Sequence, residues 1–203
     1  MKLNRKFYNR DTVEVAKDLL GKILVHRVEG KITSGKIVEV EVYKGFKDKA
    51  AHTYNGRKTK RVEIMYGKPG FSYVFFIYGM HYCMNAVTRE EGIGEAVLIR
   101  ALEPIDGMEI MSQRRYGTSF ELLKKRQIIN LTNGPSKLCK ALDIDKGCNG
   151  LDLCEDKLFI EQSNKQDFDI GISKRIGIDY AEEAKDFLWR FFIKDNEFVS
   201  KVK

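Results

Sequence analysis

The sequence predicts an α/β fold of the mixed α+β type, built as a single domain over residues 1–203. Antiparallel hairpins dominate the first half, because apolar segments of strand length follow one another with turn signals between them. No internal repeat, low-complexity tract or interdomain linker occurs. Consecutive hairpins argue against a doubly wound nucleotide-binding fold, which needs parallel strands with helical crossovers.

A helix and a hairpin are predicted at the start of the chain. Asp11 followed by Glu14 has the form of a capping box, and the helical segment that it opens, TVEVAKDLLG, ends on a glycine suited to the C-terminal cap. Strands are predicted next over KILVHRVEGKI and around KIVEVEVY, with Glu29-Gly30 as the turn between them.

A second hairpin is predicted after a polar loop. The turn signal Lys68-Pro69-Gly70 leads into FSYVFFIYGMHYCMN, residues 71–85, which predicts two strands joined around Gly79. A further strand is predicted over EAVLIRALEP, where Pro104 ends it. The middle of the chain is therefore expected to be rich in strand.

Helices are predicted in the second half of the chain. Asp106 with Glu109 three residues later predicts a helix start, and the helix is expected to run through Arg115. Pro135 after Gly134 stands where a first helical turn begins. Near the end, a helical AEEAKDFL precedes WRFFI, which alternates as a strand does.

The chain is basic. Lysine and arginine number 36 against 29 acidic residues, which gives a formal charge of +7 and a pI near 9.1, so a polyanion is an expected partner. The positive charge clusters in one polar loop, at Lys47, Lys49, Arg57, Lys58, Lys60 and Arg61. Neither an apolar signal segment nor a stretch of membrane-spanning length is present in the sequence, so a cytoplasmic protein without membrane contact is expected.

The four cysteines form no C-x-x-C pair. Reduced structural thiols are expected in a cytoplasmic protein, and a zinc site built from Cys139, Cys148 and Cys154 is the alternative.

The segment KIVEVEVY carries a candidate site. A period of two places Val38, Val40 and Val42 on one face and Glu39, Glu41 and Tyr43 on the other. The first face is expected to be core. The second suits either a solvated outer face or the wall of a polar cleft, and the nearby His52, basic loop and aromatic hairpin favour the cleft.

The aromatic hairpin is apolar on both faces, which is unlike a strand with one face in water. Val74, Phe76 and Ile77 are expected to pack in the core. For Tyr73, Phe75 and Tyr78 the alternative is that the rings stack on a base or wedge into a duplex.

In order and spacing, several segments resemble the alkyladenine (3-methyladenine) DNA glycosylase family, from the first helix to about residue 200: GKIVEVEVY, AAH, GFSYVFFIYGMHYCMN, LIRALEP, NGPSKL, RIGI and WRFFI. The resemblance implies a fold like that of the formyltransferase C-terminal domain, with a curved, mostly antiparallel sheet, surrounding helices and a hairpin that protrudes toward DNA. It also implies an enzyme that needs no metal or organic cofactor.

The resemblance further implies the activity of a monofunctional DNA glycosylase. Such an enzyme flips an alkylated purine, 3-methyladenine or 7-methylguanine, out of the duplex and hydrolyses its N-glycosidic bond, which leaves an abasic site for base excision repair. The implied partner is double-stranded DNA that contains alkylated or deaminated purines, and hypoxanthine and ethenoadenine are candidates for further substrates. A monomer is expected.

Residue roles follow from the matched positions. Glu41 matches the carboxylate that activates water, and Arg100 matches the arginine that holds it. Tyr43, His52 and Phe75 match residues that enclose the flipped base, although Phe75 stands where many relatives have tyrosine.

Three more sets of residues are carried over. Asn85 matches a residue that crowds the exocyclic amine of guanine, with an amide that caps the strand end as the alternative. Tyr78, beside Gly79 and Met80, matches the ring that fills the gap in the duplex. Phosphate contacts are expected from the basic residues Arg57, Lys58, Lys60, Arg61 and Lys137.

Two other function classes compete with a glycosylase. A catalytically silent nucleic-acid-binding domain would keep the hairpin and the basic loop, but it would not need Glu41 together with Arg100. A hydrolase of free nucleosides would need neither the excess positive charge nor a wedge at Tyr78. The sequence identifies no residue as the general acid that a neutral leaving base requires.

Overall fold

A long antiparallel sheet forms the centre of the molecule. The computed structural model describes residues 1–164 and 167–200. The strands are β1 (Ile23–Val28), β2 (Lys31–Tyr43), β3 (Ser72–Ile77), β4 (His81–Thr88), β5 (Glu95–Pro104), β6 (Leu158–Glu161), β7 (Ile170–Ser173) and β8 (Arg190–Ile193). The helices are α1 (Arg5–Tyr8), α2 (Thr12–Leu19), α3 (Met108–Tyr116), α4 (Lys125–Ile129) and α5 (Pro135–Leu142). Strands and helices are mixed along the chain, as the sequence predicts.

The strand order is β3-β4-β5-β2-β1-β6, with β8 paired to both β2 and β7. Strand β2 has β5 along one edge. On its other edge its first half pairs with β1 and its second half with β8. This change of partner coincides with register shifts between Ile37, Glu39 and Val40. Such irregularities bend a strand and re-aim its side chains.

Both predicted hairpins are present. Two residues, 29 and 30, connect the first pair of strands, and three residues, 78–80, connect the second. Glu29 and Gly30 have φ angles of 50° and 74°, and Tyr78 and Gly79 have φ angles of 53° and 68°. Two successive residues with positive φ form the turn that best matches the twist of paired strands. Register Ser72↔Ala86 to Ile77↔His81 fixes the second hairpin.

Helices α2 and α5 pack against the sheet and close its main core. The Asp11 carboxylate caps α2 by accepting hydrogen bonds from the backbone N–H groups of Val13 and Glu14. Pro135 occupies the first turn of α5, as expected. The buried aliphatic side chains of both helices meet those of β2, β4 and β5 in one cluster.

Two local predictions are wrong. Helix α3 begins after Gly107 rather than after Asp106, because the Asp106 carboxylate accepts a hydrogen bond from the Ser34 hydroxyl (2.6 Å) instead of capping the helix. The predicted helix in AEEAKDFL is only a short 3-10 helix, Glu182–Asp186. The fold class itself, a mixed α+β domain with a curled antiparallel sheet, is confirmed.

Candidate active site

A cavity of about 320 Å³ opens beside the aromatic hairpin. Strands β2, β3, β4 and β5, the start of α5 and the loop 176–180 all contribute to its walls. Its volume lies at the lower end of the range for small-molecule sites. The residues predicted for catalysis and base binding, with the exception of Glu41, line this cavity although they are far apart in sequence.

A buried ion-pair network lies behind one wall of the cavity. The Oε2 atom of Glu41 accepts hydrogen bonds from Tyr43 Oη (3.0 Å) and Arg100 Nη1 (3.2 Å), and its Oε1 atom accepts one from the Ile176 backbone N–H (2.7 Å). Glu41 does not line the cavity, but these three partners do. The alternative of a solvated outer face is wrong for this strand, because Glu39 and Glu41 are fully buried.

The burial of Glu41 changes its acidity. Burial raises the pKa of the Glu41 carboxyl above its ordinary value, and this effect exceeds the stabilisation of the carboxylate by Arg100 and by the Ile176 N–H. A carboxylate with a raised pKa is a stronger base than an exposed one. It accepts a proton more readily from a water molecule placed beside it.

His52, Tyr73 and Phe75 form an aromatic wall of the cavity. The His52 ring lies 4.6 Å from the Phe75 ring, centroid to centroid, and its Nδ1 atom is 2.9 Å from Tyr73 Oη. Burial lowers the pKa of His52 to about 4, helped by the charges of Arg61 and Arg57, so the ring is neutral near pH 7. Burial raises the pKa of Tyr73 to about 12, which keeps its hydroxyl protonated.

Tyr43 is held from behind by Arg175. The guanidinium group of Arg175 lies 4.8 Å from the centre of the Tyr43 ring. Both of its terminal nitrogens donate to the Asp48 carboxylate (2.6 and 2.8 Å), and both side chains are fully buried. A bidentate pair of this kind fixes orientation strongly. It holds the start of the loop that brings Ile176 to Glu41.

Asn85 lines the cavity from β4 and is buried. It stands in the middle of that strand, directly across from Tyr73, and its Nδ2 atom donates to the Tyr73 backbone carbonyl (3.1 Å). Asn85 therefore does not cap the end of the strand, as the alternative interpretation required. The amide is fixed on one side and faces the cavity on the other.

The tip of the aromatic hairpin is exposed. Tyr78 is 81% exposed and Met80 is 71% exposed, and Tyr78 also lines the mouth of the cavity. Phe76, which was expected to pack in the core, is 48% exposed, because the strand has left the core by this point. Val74 is buried as expected, whereas Ile77, also expected in the core, is only half-buried and lines the cavity. The hairpin therefore changes from core to surface along its length.

The chain is similar over nearly its whole length to proteins of one family. The sequence profile of the family described as methylpurine-DNA glycosylase matches residues 6–197. A protein of Desulfitobacterium hafniense is 58% identical over 199 residues, 98% of each chain. One of Clostridium acetobutylicum is 60% identical over 203 residues, 100% of this chain and 99% of the relative. Both are named "Putative 3-methyladenine DNA glycosylase".

The chain belongs to the methylpurine-DNA glycosylase family. The resemblance and the enzyme class predicted from the sequence are confirmed at this level, and the family makes DNA the partner. Among residues 1–164 and 167–200, no helix is long and apolar enough to cross a membrane.

The basic loop of this methylpurine-DNA glycosylase borders the hairpin. Arg57, Lys58, Lys60 and Arg61 are all exposed. Arg61 Nη2 donates to the Phe76 backbone carbonyl (3.4 Å), so the loop and the hairpin are in contact. Lys137 differs, because its ammonium group is part-buried between the amide oxygens of two asparagines, Asn130 (2.6 Å) and Asn133 (2.7 Å).

The cysteines of the glycosylase are free thiols. Cys139 and Cys148 are buried and Cys154 is partly buried. Within the described part of the chain, no group of three His, Cys, Asp or Glu side chains is arranged to hold a metal ion. Nothing in this arrangement favours the alternative of a zinc site.

Sequence reasoning missed several residues of the glycosylase site. It assigned no role to Arg175 or Ile176, which hold Tyr43 and Glu41, and it considered Tyr73 only as a stacking ring, not as the hydrogen-bond partner of His52. Tyr180, 70% exposed at the cavity mouth, was also missed. The matched segment RIGI contains Arg175 and Ile176, so it was a signal, but only the fold shows what they contact.

Proposed function

We propose that this protein is a monofunctional glycosylase that flips an alkylated purine out of duplex DNA and hydrolyses its N-glycosidic bond, leaving an abasic site. The observation that carries the proposal is a buried carboxylate, Glu41, placed one hydrogen bond behind an aromatic cavity of about 320 Å³. A monomer in the cytoplasm, acting without a cofactor, completes the proposal.

Hydrolysis at the sugar C1′ builds positive charge on the sugar, and a carboxylate beside it both stabilises that charge and takes a proton from water. Glu41 supplies the carboxylate. Because it lies behind Tyr43 and Arg100, the attacking water must sit next to these two side chains, in the gap between Glu41 and the sugar. Hydrogen bonds of this kind commonly reach their final geometry only when substrate is bound.

The aromatic wall selects the base. Electron-rich rings attract a cationic alkylated purine. Tyr43 and Phe75 both line the cavity, which supports the proposal that they stack on the flipped base. His52 is neutral, so it does not repel the cation, and it offers one ring nitrogen to a base edge while Tyr73 engages the other. Asn85 lines the cavity, and in the proposal its side chain crowds a purine that carries an extra amino group.

The hairpin tip holds the duplex open. An extruded base leaves a gap that a side chain must fill, and Tyr78 is an exposed ring at the mouth of the cavity. Phosphate contacts come from the exposed loop cations Arg57, Lys58, Lys60 and Arg61. Lys137, tied to two asparagines, contributes its charge from a fixed position near the start of α5.

A duplex excision assay tests the proposal. Duplexes with one 3-methyladenine, 7-methylguanine, hypoxanthine or ethenoadenine are incubated with the protein, and abasic sites are then cleaved with alkali. Strand breaks are expected for the two methylated purines. Tight binding without breaks for every lesion would instead identify a silent DNA-binding domain, and release of bases from free nucleosides at a comparable rate would identify a nucleoside hydrolase.

The variant Glu41→Gln tests whether Glu41 is the general base. It keeps the size of the side chain but cannot accept a proton, so excision should fall at least about a hundredfold while binding to damaged duplex stays near wild type. The matched control is Glu103→Gln, a partly buried glutamate on β5 that pairs with Lys36 away from the cavity. Retained excision by Glu41→Gln would show that another group activates the water.

A further inference from the structure

A second carboxylate, Glu39, lies two residues before Glu41 and is also fully buried. The proposed hydrolysis does not use it. Its Oε1 atom accepts hydrogen bonds from Arg100 Nε (3.0 Å) and Arg190 Nε (2.7 Å). The Ser200 backbone N–H donates to Oε2 (2.7 Å), and the Ser200 hydroxyl lies within 2.7 Å of both oxygens. Both carboxylate oxygens of Glu39 thus have hydrogen-bond donors.

Arg100 is shared between the two carboxylates. It stands at a register irregularity, because Glu39 pairs with Ala101 while Val40 pairs with Ile99, so Arg100 has no direct partner across the ladder. A bulged residue of this kind has its side chain re-aimed. The guanidinium group is rigid and planar, so fixing Nε on Glu39 also fixes the direction of Nη1 toward Glu41.

We infer that Glu39 is a positioning residue, which keeps Arg100 divided between two carboxylates so that Glu41 remains basic enough to take a proton from water. The inference rests on the proposed function, because it assumes that Glu41 is the base. With Arg100 engaged by Glu39, the Arg100–Glu41 contact is a single hydrogen bond rather than a two-point pair.

The surroundings of Glu41 give the sign of the effect. The titratable and charged side chains that face it are Glu39 and Tyr43 on β2, Cys83 on β4, Arg100 on β5 and Arg190 on β8. Arg190 lies directly across from Glu41, but its guanidinium group donates to Glu39. The backbone N–H of Ile176 also donates to Glu41. Removing the Glu39 charge leaves Arg100 wholly to Glu41. The ionised form of Glu41 then gains stability, and its pKa falls.

The test is the pH dependence of single-turnover excision for Glu39→Gln, measured on a duplex with one 7-methylguanine. This base leaves already positively charged and needs no general acid, so the acid limb reports the base alone. The acid limb should lie at lower pH than in wild type, and the plateau rate should fall by no more than about tenfold. An unchanged acid limb in folded Glu39→Gln overturns the inference.

Two further measurements guard against a purely structural effect. Glu39→Asp retains the charge, so its acid limb should stay at the wild-type pH even if its rate falls. If Glu39→Gln does not fold, carboxyl-carbon NMR of wild type decides, with the Glu41 signal assigned from Glu41→Gln. Glu39 should titrate at lower pH than Glu41, and the reverse order refutes the inference.

Failure of the inference and failure of the proposed function give different results. Full excision by Glu41→Gln removes Glu41 as the base, whatever Glu39 does. Loss of excision in Glu41→Gln, together with an unshifted acid limb in Glu39→Gln, leaves the glycosylase assignment standing and removes only the positioning role of Glu39.

Discussion

His52 is held in the cavity wall as a neutral ring, and this should be visible in the stability of the protein. Its pKa is about 4 in the folded chain, below the ordinary 6.5. Between pH 6.5 and 4 the unfolded chain therefore binds a proton that the folded ring refuses, so this contribution to stability is present above pH 6.5 and is lost as the pH falls toward 4. The ring is partly exposed, so we expect a loss of about 1–2 kcal/mol.

Urea unfolding of wild type and His52→Gln at pH 7 and pH 4.5 checks this contribution. Between pH 7 and pH 4.5 the free energy of unfolding should fall by more in wild type than in His52→Gln, because glutamine does not titrate. The same difference at both pH values would mean that the ring accepts a proton without penalty.

The buried pair of Arg175 and Asp48 is a second residue-scale case. Asp48→Asn leaves the Arg175 charge buried without a partner charge, and we expect a loss of about 3–5 kcal/mol in the free energy of unfolding. The neighbouring pair of Lys174 and Asp186 is exposed, so Asp186→Asn should have no measurable effect in the same urea titration. Equal losses in both variants would contradict the role assigned to the buried pair.

Single residues also show where sequence reasoning ends. The alternation of β2 correctly placed Val38, Val40 and Val42 in the core, because a strand has only two faces. It could not show that the charged face is buried as well. That burial depends on Arg100, Arg190 and Ser200, which come from distant segments and satisfy Glu39 only after folding.

At the scale of elements, both hairpins turn through two successive residues with positive φ, but only the second is expected to act on DNA. Tyr78 has a φ of 53°, a conformation that costs an ordinary residue about 1 kcal/mol or more and that asparagine tolerates. Tyr78→Asn should therefore raise the free energy of unfolding by about 1 kcal/mol, while excision falls because the exposed ring is lost. A strained residue that lowers stability is consistent with a functional role.

Glu29→Asn is the matched control. Glu29 has a φ of 50° before Gly30 in the β1–β2 hairpin, outside the cavity. Its substitution should stabilise the protein to a similar extent without changing excision. A large loss of stability in Tyr78→Asn would place the ring in the core, and a loss of excision in Glu29→Asn would remove the distinction between the hairpins.

Element types were more predictable than their ends. The hairpins follow from apolar segments with glycine at the turn, which are local signals. The start of α3 was placed one residue early, since the Asp106 side chain prefers a hydrogen bond with Ser34, a residue 72 positions away in sequence. The pairing of β8 with β2 was equally beyond local patterns, although it delivers Arg190 to Glu39.

At the scale of the whole molecule, the net charge of +7 indicated a polyanion but not where it binds. The fold shows where the clustered positive charge lies. It brings the exposed loop around Lys58 and Lys60 into contact with the hairpin beside the cavity, so the positive charge and the cavity face the same region. Segments far apart in sequence had to be folded together before this became visible.

The salt dependence of DNA binding tests that placement. Each phosphate contact adds about 0.9 to the slope of log K against log salt for duplex DNA. The double variant Lys58→Gln, Lys60→Gln should therefore lower the slope by up to about 2 and weaken binding to damaged and undamaged duplexes alike. The control Lys31→Gln, Lys146→Gln removes the same charge from exposed positions that do not line the cavity. If both double variants lower the slope equally, binding depends on net charge alone, and the loop is not a specific contact surface. If only Lys58→Gln, Lys60→Gln lowers it, the DNA backbone runs along the loop and presents its bases to the hairpin.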